Sequence, residues 1–372
     1  MEPKLQFKVL ATKWNARAGE FTLNGVTIQT PVFMPVWTKA TIKGLILDLL
    51  RDPKYINDLP PINLILANTF HLFLHPWAET IQKAGWLHTF ENWDQLILTD
   101  SGWFQAFSLA KWKSGKSLAK LTPDGVKFRS PKDGSAHFFS PEWTVDTQCL
   151  LWSDIMMMLD VCSPAWITKK KYYYQMKTTH ERARRQYEHF MKKYDETRGV
   201  LFPIVQWWTY EDLREESLAA LLPYAHDGIA VWGVSVGESY EDICRVMHFI
   251  WPKLPKDKPR YIMGIWTPES VREAILAWFD MFDCVLPTRL GRHGTAMTDE
   301  WNIRLSNAKY KNDFTPLDDS DSFVSKHYTK AYLHHLVKEN EMLGWILLSL
   351  HNIMYLHRLV TKMREEILNN RD

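Results

Sequence analysis

Eight short, apolar, β-rich segments recur along the chain, at 31–36, 62–68, 96–100, 155–160, 201–206, 228–236, 260–265 and 281–286. Most are continuous apolar runs rather than alternating ones. A strand with one wet face alternates, so continuous runs point to parallel strands covered on both faces. Helix-like stretches separate most of them. In 211–222, Leu213, Leu218, Leu221 and Leu222 fall on one side, and 239–251 and 268–279 follow the same pattern. Thr267-Pro268-Glu269 is a strong helix start, with a capping Thr and Pro in the first turn. The alternation fits a doubly wound open sheet as well as a (β/α)₈ barrel; the count of eight favours the barrel.

Bulk properties narrow the setting. The 372 residues suffice for one large core, and 46% hydrophobic with 24% charged residues is ordinary for a soluble globular chain. We expect a single domain over 1–372, with the barrel at about 30–288 and a further lobe at about 289–360. No apolar run is long enough to cross a bilayer, and Met-Glu-Pro-Lys lacks a signal-peptide core. Cys149, Cys162, Cys244 and Cys284 are scattered, with no disulfide framework and no C-x-x-C pair, so a cytoplasmic protein is expected. The net charge of +2 excludes a general nucleic-acid binder and leaves local basic patches for any such contact.

In a barrel the chemistry gathers at the C-terminal ends of the strands. Those ends read Asn68 and Thr69, Asp100-Ser101-Gly102, Asp160, Gln206, Gly233 with Val236, Met263-Gly264 and Asp283. Between the third and fourth strands, 125–135 reads as a hairpin turned by Pro123-Asp124-Gly125 and Asp133-Gly134-Ser135. After the eighth, 289–325 is polar and loop-rich and leads into C-terminal helices.

Asp100 and Asp283 form the acid pair of interest. One carboxylate can attack an electrophilic carbon while the other, with a raised pKa, carries the proton. At a sugar C1′ this is glycosyl chemistry by double displacement. Asp160 and Gln206 suit the donor–acceptor edge of a planar base, and Phe104 could stack on one or simply fill the core. The segment Arg289-Leu290-Gly291-Arg292-His293-Gly294 reads as a basic loop that either holds phosphate or is merely solvated. Lys169-Lys170-Lys171 and Arg182, Arg184 and Arg185 read as a solvated helix face.

Ala67-Asn68-Thr69-Phe70-His71-Leu72, Thr99-Asp100-Ser101-Gly102, Phe128-Arg129-Ser130-Pro131, Ser153-Asp154-Ile155, Ile204-Val205-Gln206, Ser235-Val236-Gly237-Glu238, Arg260-Tyr261-Ile262-Met263-Gly264 and Asp283-Cys284-Val285-Leu286-Pro287-Thr288-Arg289 resemble the tRNA-guanine transglycosylases. The resemblance runs from about residue 7 to about residue 359. It implies a (β/α)₈ barrel with a zinc-bearing insertion near the C-terminus. It implies exchange of guanine at the tRNA wobble position for a 7-deazaguanine base, as in queuosine biosynthesis. Asp283 falls on the family's nucleophile and Asp100 on its acid/base. Ser101, Gly102, Asp160, Gln206 and Gly233 fall on base-binding positions, with Met263 and Phe104 as an apolar sandwich. Gly264, Ile265, Trp266, Thr267, Pro268, Glu269 and Ser270 fall on one RNA-contacting segment, and Thr288, Arg289, Leu290, Gly291 and Arg292 on another. Cys162 and Val236 resemble the bacterial type, whose base is preQ1. A homodimer is an expectation of the resemblance alone. A non-catalytic RNA-binding partner subunit of the same fold is the alternative function; retention of Asp100 and Asp283 argues against it. A barrel glycoside hydrolase would explain the acid pair, but not Asp160 with Gln206.

Two features depart from the family. Its zinc is held by three Cys as C-x-C-x-x-C and a later His. Here the positions read Ser320, Ser322 and Ser325, and only His351 matches, so no metal or other cofactor is expected. The second departure is 18 Trp against 16 Gly. Trp37, Trp77, Trp86, Trp103, Trp152, Trp207, Trp208, Trp232, Trp266, Trp278 and Trp301 stand where the family has glycine, while Trp93 stands where it has Trp. Repeated independent change to the bulkiest side chain is implausible; one codon, UGA, read as glycine in some lineages, would explain all of them at once.

Overall fold

The computed structural model describes residues 2–102, 119–130, 133–163, 167–233, 237–265 and 267–369. It opens with a feature the sequence reading did not anticipate, an antiparallel sheet of β1 (Gln6–Lys13), β2 (Ala16–Leu23) and β3 (Val26–Thr30). The α/β body follows. Its strands are β4 (Val32–Trp37), β5 (Leu64–Asn68) and β6 (Leu96–Asp100), then, after an antiparallel insertion, β10 (Ile155–Met157), β11 (Val200–Phe202), β12 (Ile204–Val205), β13 (Ile229–Val231), β14 (Arg260–Ile262) and β15 (Met281–Cys284). They form one parallel sheet in the order β11-β10-β6-β5-β4-β15-β14-β13-β12. The two ends of that order, β11 and β12, are neighbours in the chain on either side of Pro203, so the sheet nearly closes on itself. All eight segments expected as parallel strands lie in it.

Alternation along each strand sorts the side chains into two clusters. Met34, Leu64, Leu66, Leu96, Leu98, Ile155, Met157, Phe202, Tyr261 and Met281 fill the inside, together with Leu5, Phe21, Leu23 and Ile28 from the N-terminal segment. Phe33, Ile65, Ala67, Ile97, Met156, Leu201, Ile262 and Phe282 pack outward against helices. Both faces are dry, as the unbroken apolar runs require.

The insertion after β6 differs from a simple hairpin. β8 (Gly125–Arg129) is the middle of three antiparallel strands, paired with β7 (Ala119–Thr122) and β9 (Ala136–Phe139). Residues 289–294 read as a loop from their Gly and Arg content, but the structure differs. Residues Leu286–Arg292 are a helix. A Cβ on Gly291 would come within 2.6 Å of the Ser349 amide nitrogen, so glycine lets this helix cross the long helix Met342–Asn369 closely. That contact outweighs local propensity. The C-terminal lobe has its own small core of Ala296, Leu305, Leu317, Val324, Leu333 and Leu348.

Arg17 of β2 and Asp280, just before β15, are both sealed from solvent. Arg17 Nε and Nη2 donate to the two carboxylate oxygens at 3.0 and 2.5 Å, and Nη1 and Nη2 also donate to the carbonyls of Lys256 and Lys258 at 2.7 and 2.8 Å. Asp280 Oδ2 also accepts the Arg260 amide, at 2.7 Å. Removing one member strands a buried charge, at a cost of about 3–5 kcal/mol. Arg17→Met is therefore expected to lower the urea midpoint by that equivalent with an unchanged slope; an unshifted midpoint would show that the pair does not hold the N-terminal sheet to the body.

Candidate active site

Asp100 ends β6 and sits opposite Asn68 in the β5–β6 register. Asn68 Nδ2 donates to Asp100 Oδ2 at 2.7 Å, and the Gly102 amide donates to Oδ1 at 2.9 Å. Asn68 also caps helix Thr69–Leu74, its Oδ1 accepting the His71 amide at 3.0 Å. The Thr69 hydroxyl donates to the Asp100 carbonyl. Gly102 has φ of +78°, and a Cβ there would lie 2.6 Å from the Phe70 amide nitrogen, so only glycine allows this turn. Burial pushes the Asp100 carboxyl up to about 7, and the nearby Asp283 charge adds to this, while the Asn68 and Gly102 donors pull the other way.

Asp283 lies in β15. Its Oδ1 accepts the Tyr261 hydroxyl at 2.7 Å and the Gly264 amide at 2.8 Å; no described residue donates to Oδ2. Burial raises its pKa against those two donors. The sequence reading singled out Asp283 and Gly264 but gave Tyr261 no role. Its signal was the strand alternation, which points Tyr261 inward toward the β15 acid.

Asp160 is 1% exposed. Its Oδ2 accepts from Gln206 Nε2, whereas its Oδ1 has no hydrogen-bond partner among the described residues. Burial pushes this carboxyl also up to about 7. The loop that carries it is fixed by one stripe of helix Lys169–Met191. Thr179 Oγ1 accepts the Val161 amide at 3.0 Å, Gln186 bonds both amide and carbonyl of Leu159, and Arg182 donates to the Asp160 carbonyl at 3.1 Å. Arg182 also reaches the carbonyls of Thr122 and Gly125, each at 2.9 Å. It is therefore a fully buried brace, not part of a solvated face; Arg184 and Arg185 pair instead with Glu181, Glu188 and Glu142 at the surface. A second buried arginine, Arg214, donates to the carbonyls of Trp208, Trp232 and Gly233 at 2.5, 3.0 and 3.1 Å, holding the turns after β12 and β13.

Ser101 is buried beside Asp100, and Met263 packs at the edge of the inner cluster. Cys162 is buried with Leu159, Val161 and Trp207. Phe104, Trp103, Val236 and Trp266 lie outside the described residues. Ile265 is buried; Thr267 caps helix Pro268–Leu276 by accepting the Ser270 amide at 3.1 Å, and Glu269 in its first turn is exposed. In helix Leu286–Arg292, Thr288 and Gly291 face inward, Arg289 is exposed, and Leu290 and Arg292 are half-buried.

In the C-terminal lobe the residues at the family's zinc positions bond to one another. The Ser322 hydroxyl donates to Ser325 Oγ at 3.0 Å, and the Ser325 and Ser320 hydroxyls both donate to Asp318 Oδ1. His351 is fully buried, with Nδ1 3.2 Å from Ser322 Oγ and Nε2 2.8 Å from the Met297 carbonyl. A carbonyl only accepts, so Nε2 carries the proton. All three hydroxyls are neutral, and those of Ser320 and Ser325 are already committed to a carboxylate, a poor match for zinc.

Because the Asn68 donor favours the ionised form of Asp100, Asn68→Ala is expected to move the Asp100 titration above about 7. Infrared difference spectroscopy of the protonated carboxyl band across pH reads this directly, and a midpoint that stays or falls would contradict the assignment.

Residues 12–371 match the family model described as "Queuine tRNA-ribosyltransferase". A curated relative of that name from Acinetobacter baylyi is 41% identical over 368 residues, covering 99% of this chain and 92% of the relative. One from Thiobacillus denitrificans is 42% identical over 364 residues (98% and 95%), and one from a Janthinobacterium species 42% identical over 373 residues (99% and 96%). With this family match over nearly its whole length, the chain belongs to the queuine tRNA-ribosyltransferase family.

Proposed function

We propose that this protein exchanges guanine at the wobble position of tRNA for a 7-deazaguanine through a covalent enzyme–tRNA intermediate. The observation that carries the reading is the pair of desolvated carboxylates, Asp100 and Asp283, each steadied by its own donors and close enough that the charge of Asp283 acts on Asp100. Asp283 Oδ2 attacks C1′ of the nucleoside, the C1′–N9 bond breaks, and its electron pair leaves with guanine. Tyr261 and Gly264 hold Oδ1, so the attacking oxygen is oriented without being blocked. Asp100, protonated near neutrality, supplies the proton that the departing base needs. It then accepts the N9 proton of the incoming base as that base attacks C1′ and frees Asp283. Two displacements return the original configuration at C1′.

The free Oδ1 of Asp160, with Gln206 beside it, supplies acceptor and amide groups for the base edge. The buried Cys162 supports a small, bacterial-type pocket and preQ1 as the incoming base. Arg289, exposed on the helix Leu286–Arg292 that follows β15, is the best placed cation of its segment for tRNA phosphate. We read the body as a (β/α)₈ barrel with an antiparallel insertion after its third strand, working as a homodimer, in which the serine–aspartate cluster stands in place of the family's zinc.

Four measurements test this. Asp283→Ala should abolish incorporation of labelled guanine and the covalent adduct while tRNA binding persists; retained exchange would exclude the nucleophile. The exchange rate should be bell-shaped in pH. It falls on the acid side as Asp283 protonates. It falls again above about 7 as Asp100 loses its proton. Asp100→Asn should remove the alkaline limb along with most of the rate, and an unchanged profile would remove Asp100 from the mechanism. Stoichiometric zinc in the purified protein, or unfolding on chelation, would sink the metal-free lobe.

A further inference from the structure

Among the described residues, twelve that are not glycine have positive φ. Four are Asn and one is Ala; the other seven are Trp14, Trp77, Trp86, Trp152, Trp207, Trp208 and Trp278. The chain holds 18 Phe and 14 Tyr, yet no Phe or Tyr appears in the set. Asn tolerates the left-handed region because its side chain bonds the local backbone; a bulky indole has no such compensation. Size and aromaticity therefore do not explain why tryptophan alone is there.

The backbone at these sites is that of glycine in detail. Four helices end in the same paired hydrogen bonds of the Schellman motif. Two carry Asn in the left-handed position: Asn92, with the Trp93 amide reaching the His88 carbonyl at 2.9 Å, and Asn340, with Glu341 reaching Leu336 at 2.9 Å. The other two carry Trp: Trp152, with Ser153 reaching Gln148 at 3.2 Å, and Trp278, with Phe279 reaching Ala274 at 3.0 Å. Trp14 is the first residue of the two-residue turn closed by the Lys13–Ala16 pair, a position that selects Gly or Asn, and the residue is 72% exposed. Trp77, at φ 83° and ψ 138°, borders a region that only glycine populates. The indole adds no compensating bond at two of these sites: Nε1 of Trp208 and Trp278, and of Trp37 elsewhere in the core, is buried without an acceptor among the described residues, whereas Trp207 Nε1 donates to Ser217 Oγ at 3.1 Å. Trp93 is the contrast. Its φ is not positive, it is 2% exposed, and its Nε1 donates to the Leu96 carbonyl at 3.2 Å.

We propose that the gene encodes these seven positions with UGA and that its own cell reads UGA as glycine, so that the working protein carries glycine at 14, 77, 86, 152, 207, 208 and 278. The same codon then accounts for Trp37, Trp103, Trp232, Trp266 and Trp301. The consequence for the site is direct. Trp207 and Trp208 follow Gln206 immediately, and their rings, with Trp232, pack among Leu159, Val161 and Cys162 around the loop that bears Asp160. Glycine at these positions removes three indoles from the place where a base reaches Asp160 and Gln206, and leaves bare backbone amides to meet it. The inference stands on backbone geometry and does not depend on the catalytic reading.

The codons at the seven positions, and peptide masses of the protein isolated from its own cells, test it first. UGA with glycine masses is expected at all seven, and UGG at Trp93; UGG codons or tryptophan masses at the seven overturn the proposal. A second, function-independent readout uses two full-length proteins, one as written and one with glycine at the seven sites. The glycine form should melt higher by several degrees or fold where the other does not, whereas Trp93→Gly should melt lower. A glycine form less stable than the tryptophan form would equally overturn it. Guanine exchange is measured on the as-written protein and on a glycine form that also carries W37G, W103G, W232G, W266G and W301G, and is expected only from the latter; that form folded but without exchange would count against the proposed function and not against the codon assignment.

Discussion

The strands of the parallel sheet have no wet face. Each is packed inward on Leu66, Leu98, Met157 and their neighbours and outward on helices, so no charged group can sit along its length without a partner. Polar chemistry is thereby pushed to the strand ends. Asn68, Asp100, Gln206 and Asp283 are all there, within the last residues of β5, β6, β12 and β15 or immediately after them. The site is the place where a dry sheet must stop.

The same dryness sets the reactivity. Asp100 and Asp160 are both driven to about 7 by burial, but they are finished differently. Asp100 receives a donor on each oxygen, which limits the rise and fixes its direction. Asp160 receives one donor, on Oδ2, and its Oδ1 has no partner among the described residues. Asp283 has two donors on one oxygen and none from a described residue on the other. Three acids of one residue type are thus set in three different hydrogen-bond environments.

Much of this was legible in the sequence. Continuous apolar runs announced the parallel strands, and the acids and amides at their ends announced the site. What was not legible depended on distant packing. Leu286–Arg292 reads as a loop until Ser349 is brought against Gly291. Arg182 is hidden in a run of basic residues, although Thr179, Arg182 and Gln186 share a helical stripe that a periodicity reading of their polar side chains could have found. The N-terminal sheet was missed because β1, whose residues are largely exposed, offers little apolar signal of its own. Tyr261 reads as one more core aromatic, because only the β14–β15 pairing brings its hydroxyl to Asp283.

The split of one strand at Pro203 has a further meaning. Proline has no amide hydrogen to give, so the ladder passes from β10 on one side to β13 on the other across a residue that cannot donate. The ring is in effect two arcs that share a seam at Pro203 and meet again where β15 pairs with β4. Asn68, Asp100 and Asp160 ride on one arc; Gln206, Gly233 and Asp283 ride on the other. Asp100 and Asp283 therefore sit on opposite arcs, and so do Asp160 and its partner Gln206, so the spacing across each pair is a measure of how tightly the circle is drawn.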